Sequence, residues 1–189
     1  MIAFLLALSI APETIERRYN ATRTLIVEFT QVYEGAGRAR AESGTLTLLK
    51  PGRMRWDYGG GKVFVADGKT LWFYVPNANR AERSKVKESD DLRAPLAFLL
   101  GRLDFSRDFR QLRDEGGEIV AIPKSDKAPY REVRFVAAGD GRIERVTVTG
   151  QDASVMRFEF SNERRNVAVD PQFFRFTPPP GTEIVEAER

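Results

Sequence analysis

Apolar and polar residues alternate with a period of two along most of the chain, and that alternation predicts strands. Leu25, Val27, Phe29, Gln31 and Tyr33 share one face of an extended run, with Glu28, Thr30 and Glu34 on the other. Leu46 and Leu48 are set against Thr45 and Thr47, and Met54, Trp56 and Tyr58 against Arg53, Arg55 and Asp57. Gly59-Gly60-Gly61 turns the chain into a run over 62–66, and Asp67-Gly68 is the strongest hairpin signal, leading to a strand over 69–75. In that strand Leu71, Trp72, Phe73 and Tyr74 place large apolar groups on both faces, which predicts core on one side and a covering helix on the other. Further strands are read over 80–86, 105–112, 118–122, 132–136, 143–149 and 155–160.

Two segments break the period. Residues 12–22 read as a short helix, with Pro12 in its first turn and Glu13 and Glu16 near its positive end. Residues 91–103 carry a helical pattern, with Asp90 or Asp91 as N-cap and an apolar surface from Leu92, Leu96, Phe98, Leu99, Leu100 and Leu103. With about ten to eleven strands, two short helices and no alternation of strand and helix, the fold class is mainly β: an open or incomplete antiparallel barrel that the helices cover.

The chain has 189 residues, enough for a single domain, taken here as 12–189. Its first eleven residues include an uncharged apolar run, Ile2 to Ala11, far short of the roughly 20 residues a spanning helix needs. They read as a signal peptide with small residues Ser9 and Ala11 near a cleavage point, although no Lys or Arg precedes the run, and a buried first helix is the other reading.

Charge and composition remove several functions. The 30 basic residues are offset by 27 acidic ones for a net charge of +3, and the basic pairs lie far apart in sequence, unlike the stripe of a nucleic-acid binder. Cysteine and histidine are both absent, so there is no disulfide, no thiolate and no imidazole to serve as general base or metal ligand. No cofactor motif survives inspection: Gly68-Lys69-Thr70 imitates a phosphate loop, but Val63 stands where its first glycine belongs. Carboxylate pairs such as Glu28 with Asp57, or Asp90 with Asp91, read as solvated surface acids. The chain is read as a non-enzyme with no cofactor and no metal.

Several runs resemble the LolA family of periplasmic lipoprotein carriers. They are Val27-Glu28-Phe29-Thr30-Gln31, Gly44-Thr45-Leu46, Lys50-Pro51-Gly52-Arg53-Met54-Arg55-Trp56-Asp57-Tyr58, Asp67-Gly68-Lys69-Thr70-Leu71-Trp72-Phe73-Tyr74, Pro95-Leu96-Ala97-Phe98-Leu99-Leu100 and Phe174-Arg175-Phe176-Thr177-Pro178. The resemblance implies an open barrel whose helical lid covers an apolar cavity for lipoprotein acyl chains. It implies a monomer in the periplasm that takes acylated lipoproteins from an inner-membrane ABC-type release complex (LolCDE-like) and passes them to an outer-membrane acceptor (LolB-like). The lipid-binding residues are then Phe29, Leu46, Leu48, Met54, Trp56 and Tyr58 on the strands and Leu96, Phe98, Leu99 and Leu100 on the lid, although ordinary core packing would give each the same pattern. The family's lid-closing arginine precedes a proline; here that position is Lys50, a point charge in place of a planar fork. A related lipid-binding or lipoprotein-sensing module of the cell envelope is the alternative.

Overall fold

The computed structural model describes residues 10–85 and 103–186. A nine-residue helix, α1 (Pro12–Asn20), opens the described chain, with Pro12 at its first turn, Glu13 at its positive end and Arg17 and Arg18 at its negative end. There follow β1 (Thr24–Gly35), β2 (Arg38–Leu49), β3 (Arg53–Tyr58), β4 (Val63–Ala66), β5 (Thr70–Val75) and β6 (Arg80–Lys85). After residues 86–102 come α2 (Phe105–Asp108), β7 (Phe109–Glu115), β8 (Glu118–Pro123), β9 (Tyr130–Ala137), β10 (Ile143–Gly150), β11 (Val155–Arg165) and β12 (Glu183–Glu186). The twelve strands form one sheet in the order β12-β6-β5-β4-β3-β2-β1-β11-β10-β9-β8-β7. Its ends, β12 and β7, do not pair with each other among the described residues, so the sheet is open and not a closed barrel.

Most of this matches the alternation in the sequence, with three differences. Residues 105–108 are helix and not strand, because the Asp104 carboxylate accepts the Arg107 N–H and caps a helical turn. β12 was not expected; it pairs with β6, and that pairing is parallel. Among the described residues the outer face of β5 is covered by the chain after β11, in place of the expected helix, since Phe176 packs on Trp72 and Tyr74 at ring-centroid distances of 5.9 and 5.6 Å. The lid helix expected over 91–103 lies outside the described residues except for its last position, Leu103, which is buried.

The sheet curls. Trp56 on β3 and Phe158 on β11 stand three strands apart, about 14 Å on a flat sheet. Their ring centroids are 5.3 Å apart. Residues from β1 to β5 and from β8 to β11 therefore meet in one apolar cluster on the inner face, joined by Ile15 and Tyr19 of α1 and by Leu103, Phe105 and Phe109. Gly44 permits the tightest part of this curl. It pairs with Phe29 on one side and Tyr58 on the other, and a Cβ there would lie 1.9 Å from the Asp57 carbonyl oxygen.

A candidate apolar cavity under helix α1

Six of the residues singled out in the sequence come together on the inner face. Phe29, Leu46, Leu48, Met54, Trp56 and Tyr58 are all buried, and Trp56 is fully so. Phe29 packs edge-on against both Trp56, at 4.7 Å, and Tyr58, at 5.1 Å, and Trp56 also meets Phe158. Tyr58 donates its hydroxyl hydrogen to Gln31 Oε1 at 3.0 Å, so the one polar pair in this layer satisfies itself. Trp56 Nε1, in contrast, is buried without a hydrogen-bond partner among the described residues. Leu96, Phe98, Leu99 and Leu100 lie outside the described residues.

Helix α1 lies over this floor. A nine-residue helix is too short to be stable alone, so its shape depends on what it packs against. Only Ile15 and Tyr19 are buried, and burying an aliphatic side chain such as Ile15 stabilises by about 1.5–3 kcal/mol. Gly141 lets the helix sit low: a Cβ at that position would be 2.7 Å from the Thr14 carbonyl oxygen. The space remaining between Tyr19, Leu25, Val27, Leu46, Ile143, Phe160 and Glu163 is about 10 Å³, room for one water at most. The space directly beneath α1 is thus closely packed.

Polar contacts hold the helix in place. Lys50 Nζ, just after β2, donates to the Tyr19 backbone carbonyl at 2.7 Å in the last turn of α1, a carbonyl that also accepts the Thr22 N–H at 3.1 Å. Burial lowers the Lys50 ammonium below the ordinary lysine range. Arg53 and Arg55 do not take this role; Arg55 points outward to the Asp57 carboxylate and to the Phe173 carbonyl. At the same end, the side chain of Asn20 exchanges two hydrogen bonds of 2.8 Å with the backbone of Leu103, and Glu16 accepts the Phe105 N–H at 2.6 Å.

The strongest fastening was not legible in the sequence. The Glu163 carboxylate of β11 has only 4% of its side chain exposed and accepts from Arg18 and, at 2.8 Å, from the Tyr19 hydroxyl. The Tyr19 hydroxyl in turn accepts the Ile143 N–H at 3.0 Å. Arg18 also reaches Asp140 at 2.9 Å, and Arg165 sits 3.5 Å from Glu163. A bulge aims Glu163 inward. The pairing slips between Glu28↔Ser161 and Ile26↔Arg164, with Asn162 at φ 54°, so Glu163 and Arg165 take the face that Phe158 and Phe160 occupy earlier in the strand.

Burial first, and then the Glu163 carboxylate, raise the Tyr19 phenol well above the ordinary tyrosine range. Because the folded value lies above the unfolded one, this contribution to stability is fully present below the unfolded value of about 10 and is lost as pH rises toward the folded value. In an alkaline titration followed by phenolate absorbance, Tyr19 is expected to stay protonated until the protein unfolds. Tyr19→Phe should then remove a late phenolate step; loss of a step near pH 10, about where a free tyrosine ionises, would contradict this.

The remaining candidates separate. Glu28 accepts from Asn162, while Asp57 is held by Arg55, so the two carboxylates that might have formed a catalytic pair have separate structural partners. Arg18, Arg55, Arg83 and Arg165, drawn from the scattered basic pairs, each face an acid. No helix among the described residues is long and apolar enough to cross a membrane.

Comparison with known proteins agrees with this geometry. The family model described as outer membrane lipoprotein carrier protein LolA matches residues 20–177. The chain belongs to the LolA family. The outer-membrane lipoprotein carrier protein of Methylococcus capsulatus is 30% identical over 176 residues, covering 88% of this chain and 83% of its own. That of Chromobacterium violaceum is 28% identical over 176 residues, covering 89% and 84%. Among solved structures, a LolA-superfamily protein of Nitrosomonas europaea superposes with a TM-score of 0.51 at 9% identity, covering 89% of this chain and 99% of that one, and so supports the fold.

Proposed function

We propose that this LolA-family chain is a periplasmic carrier that holds the acyl chains of lipoproteins on the inner face of its sheet, beneath α1. The observation that carries the reading is an apolar floor, packed to within about 10 Å³ beneath α1, whose cover is a nine-residue helix held largely by side-chain hydrogen bonds and ion pairs. Relatives at 28–30% identity bear the name of outer-membrane lipoprotein carriers, which supplies the cargo class. In this reading residues 1–11 direct export, the monomer loads from an inner-membrane ABC-type complex of the LolCDE kind, and it unloads to an outer-membrane acceptor of the LolB kind. The family is one of carriers, and nothing in the site asks for catalysis.

Energetics limit how the cargo is held. Burial of acyl chain is worth about 0.8 kcal/mol per methylene, so three chains fully enclosed would exceed the practical ceiling of about −18 to −21 kcal/mol for non-covalent binding. A carrier must release, so burial is partial. Lys50 and Glu163 keep the floor covered between loads, with Phe29, Leu46, Leu48, Met54, Trp56 and Tyr58 as the surface uncovered when α1 lifts. Leu96, Phe98, Leu99 and Leu100 would complete it.

Fluorescence quenching tests this reading. The chain has two tryptophans, Trp56 on the inner face and Trp72 on the outer one against Phe176. In a Trp72→Phe background, a triacylated peptide with brominated chains is expected to quench Trp56, and the unacylated peptide to leave it unchanged. Equal emission with both would show that the chains do not reach this floor.

A further inference from the structure

A hollow opens beside the C-terminal end of α1. It is about 840 Å³, lies between the start of β1, the turn from β2 to β3 and the chain leaving β11, and falls within the size of ligand-binding clefts, ~300–1,000 Å³. Three cations line it, Arg23, Lys50 and Arg53, and no acidic residue does among the described residues. Arg18, Arg55, Arg83, Arg134 and Arg145 each have a carboxylate within reach, although several other surface arginines do not among the described residues. Neither the Arg23 nor the Arg53 guanidinium has one among the described residues. An adjoining hollow of about 220 Å³ shares Arg53 and adds Lys69 and Arg175; its one acid, Asp67, already accepts the N–H groups of Lys69 and Thr70. Leu49, Val167 and Val169 give the larger groove an apolar lining between its charges.

We propose that this groove docks an acidic segment of a partner protein and that docking loosens α1. Complementary charge, apolar lining and concavity favour a peptide chain; a flat bilayer would not reach cations set into the walls of a groove. The coupling comes from Lys50, which lines the groove and also holds the Tyr19 carbonyl at 2.7 Å. A carboxylate in the groove offers Nζ a charged acceptor, and hydrogen bonds between charged groups are roughly twice as strong as neutral ones. An ammonium that turns to it leaves the helix, so the occupant binds better to the form with α1 released and shifts the population that way. This second half rests on the reading of α1 as the cover of the acyl-chain floor.

The test uses the full chain and a fluorescein-labelled octaglutamate peptide. Anisotropy should show saturable binding that weakens with salt, that octalysine does not reproduce, and that Arg23→Glu with Arg53→Glu weakens by about tenfold or more. Both side chains reach solvent, so the double variant should keep the wild-type unfolding midpoint. Hydrogen exchange of the α1 amides should speed up with peptide bound. Absent binding, or binding unchanged in the double variant, overturns the docking site. Binding to vesicles with anionic lipid that the double variant abolishes, with no peptide binding, overturns the protein partner in favour of a membrane. Peptide binding with unchanged α1 exchange overturns the coupling. Acyl-chain quenching of Trp56 in the double variant, measured without peptide, is independent of docking and separates failure of this inference from failure of the carrier reading.

Discussion

Trp56→Ala is expected to lower the stability of the fold by about 3–5 kcal/mol, the cost of emptying a large buried aromatic site. The indole is fully buried, is paired across the sheet with Leu46 and Phe64, and touches the rings of Phe29 and Phe158 from strands on two sides. Few neighbours are free to collapse into the space, because Gly44 already brings β2 and β3 as close as their backbones allow. Trp56→Phe should cost far less. It retains an aromatic ring and removes a buried N–H that has no partner among the described residues, a group whose burial costs about 1–3 kcal/mol. Urea unfolding midpoints compare the two variants. A loss under about 1 kcal/mol for Trp56→Ala would mean that the floor is pliable even with α1 in place.

Glu163→Gln should cost about 3 kcal/mol, the low end for removing one partner of a buried ion pair. The amide keeps the size of the carboxylate but leaves Arg18, with 14% of its side chain exposed, without its nearest acid. It also presents a donor where Arg165 approaches. The loss should concentrate on α1. Hydrogen exchange of the α1 amides should accelerate more than that of β2 or β10, because the helix depends on these contacts while the strands have their ladders. Adding Arg18→Ala to Glu163→Gln should cost little more, as coupled partners are not additive. A fully additive double variant would show that the two residues stabilise separate parts of the protein.

The contrast between these two sites shows what the sequence reveals. Trp56 was legible because β3 alternates without interruption from Arg53 to Tyr58, so parity alone assigns its face. Glu163 was not, because parity counted from Phe158 and Phe160 places it outward with Arg157 and Glu159. One bulged residue reverses that assignment, and no local feature announces it beyond an asparagine, a residue that tolerates positive φ. Lys50 was singled out by its position before Pro51 in a run resembling the family. What the residue holds, the carbonyl of Tyr19, required the helix to be packed first. The cover on the outer face of β5 was legible as a need, from Trp72 and Tyr74, but not in its source, because the chain after β11 carries no periodic pattern and reaches β5 only through Phe176 and the parallel pairing of β12. The helical turn at α2 depends on a single cap at Asp104 within a run of mixed polarity that reads equally well as strand.

In the proposed function the inner face receives acyl chains. Native mass spectrometry of the protein mixed with a triacylated lipoprotein, and separately with the same lipoprotein lacking its acyl chains, tests it most directly. A soluble one-to-one complex with the acylated form alone is the predicted result; complexes with neither form, or with both equally, would contradict it.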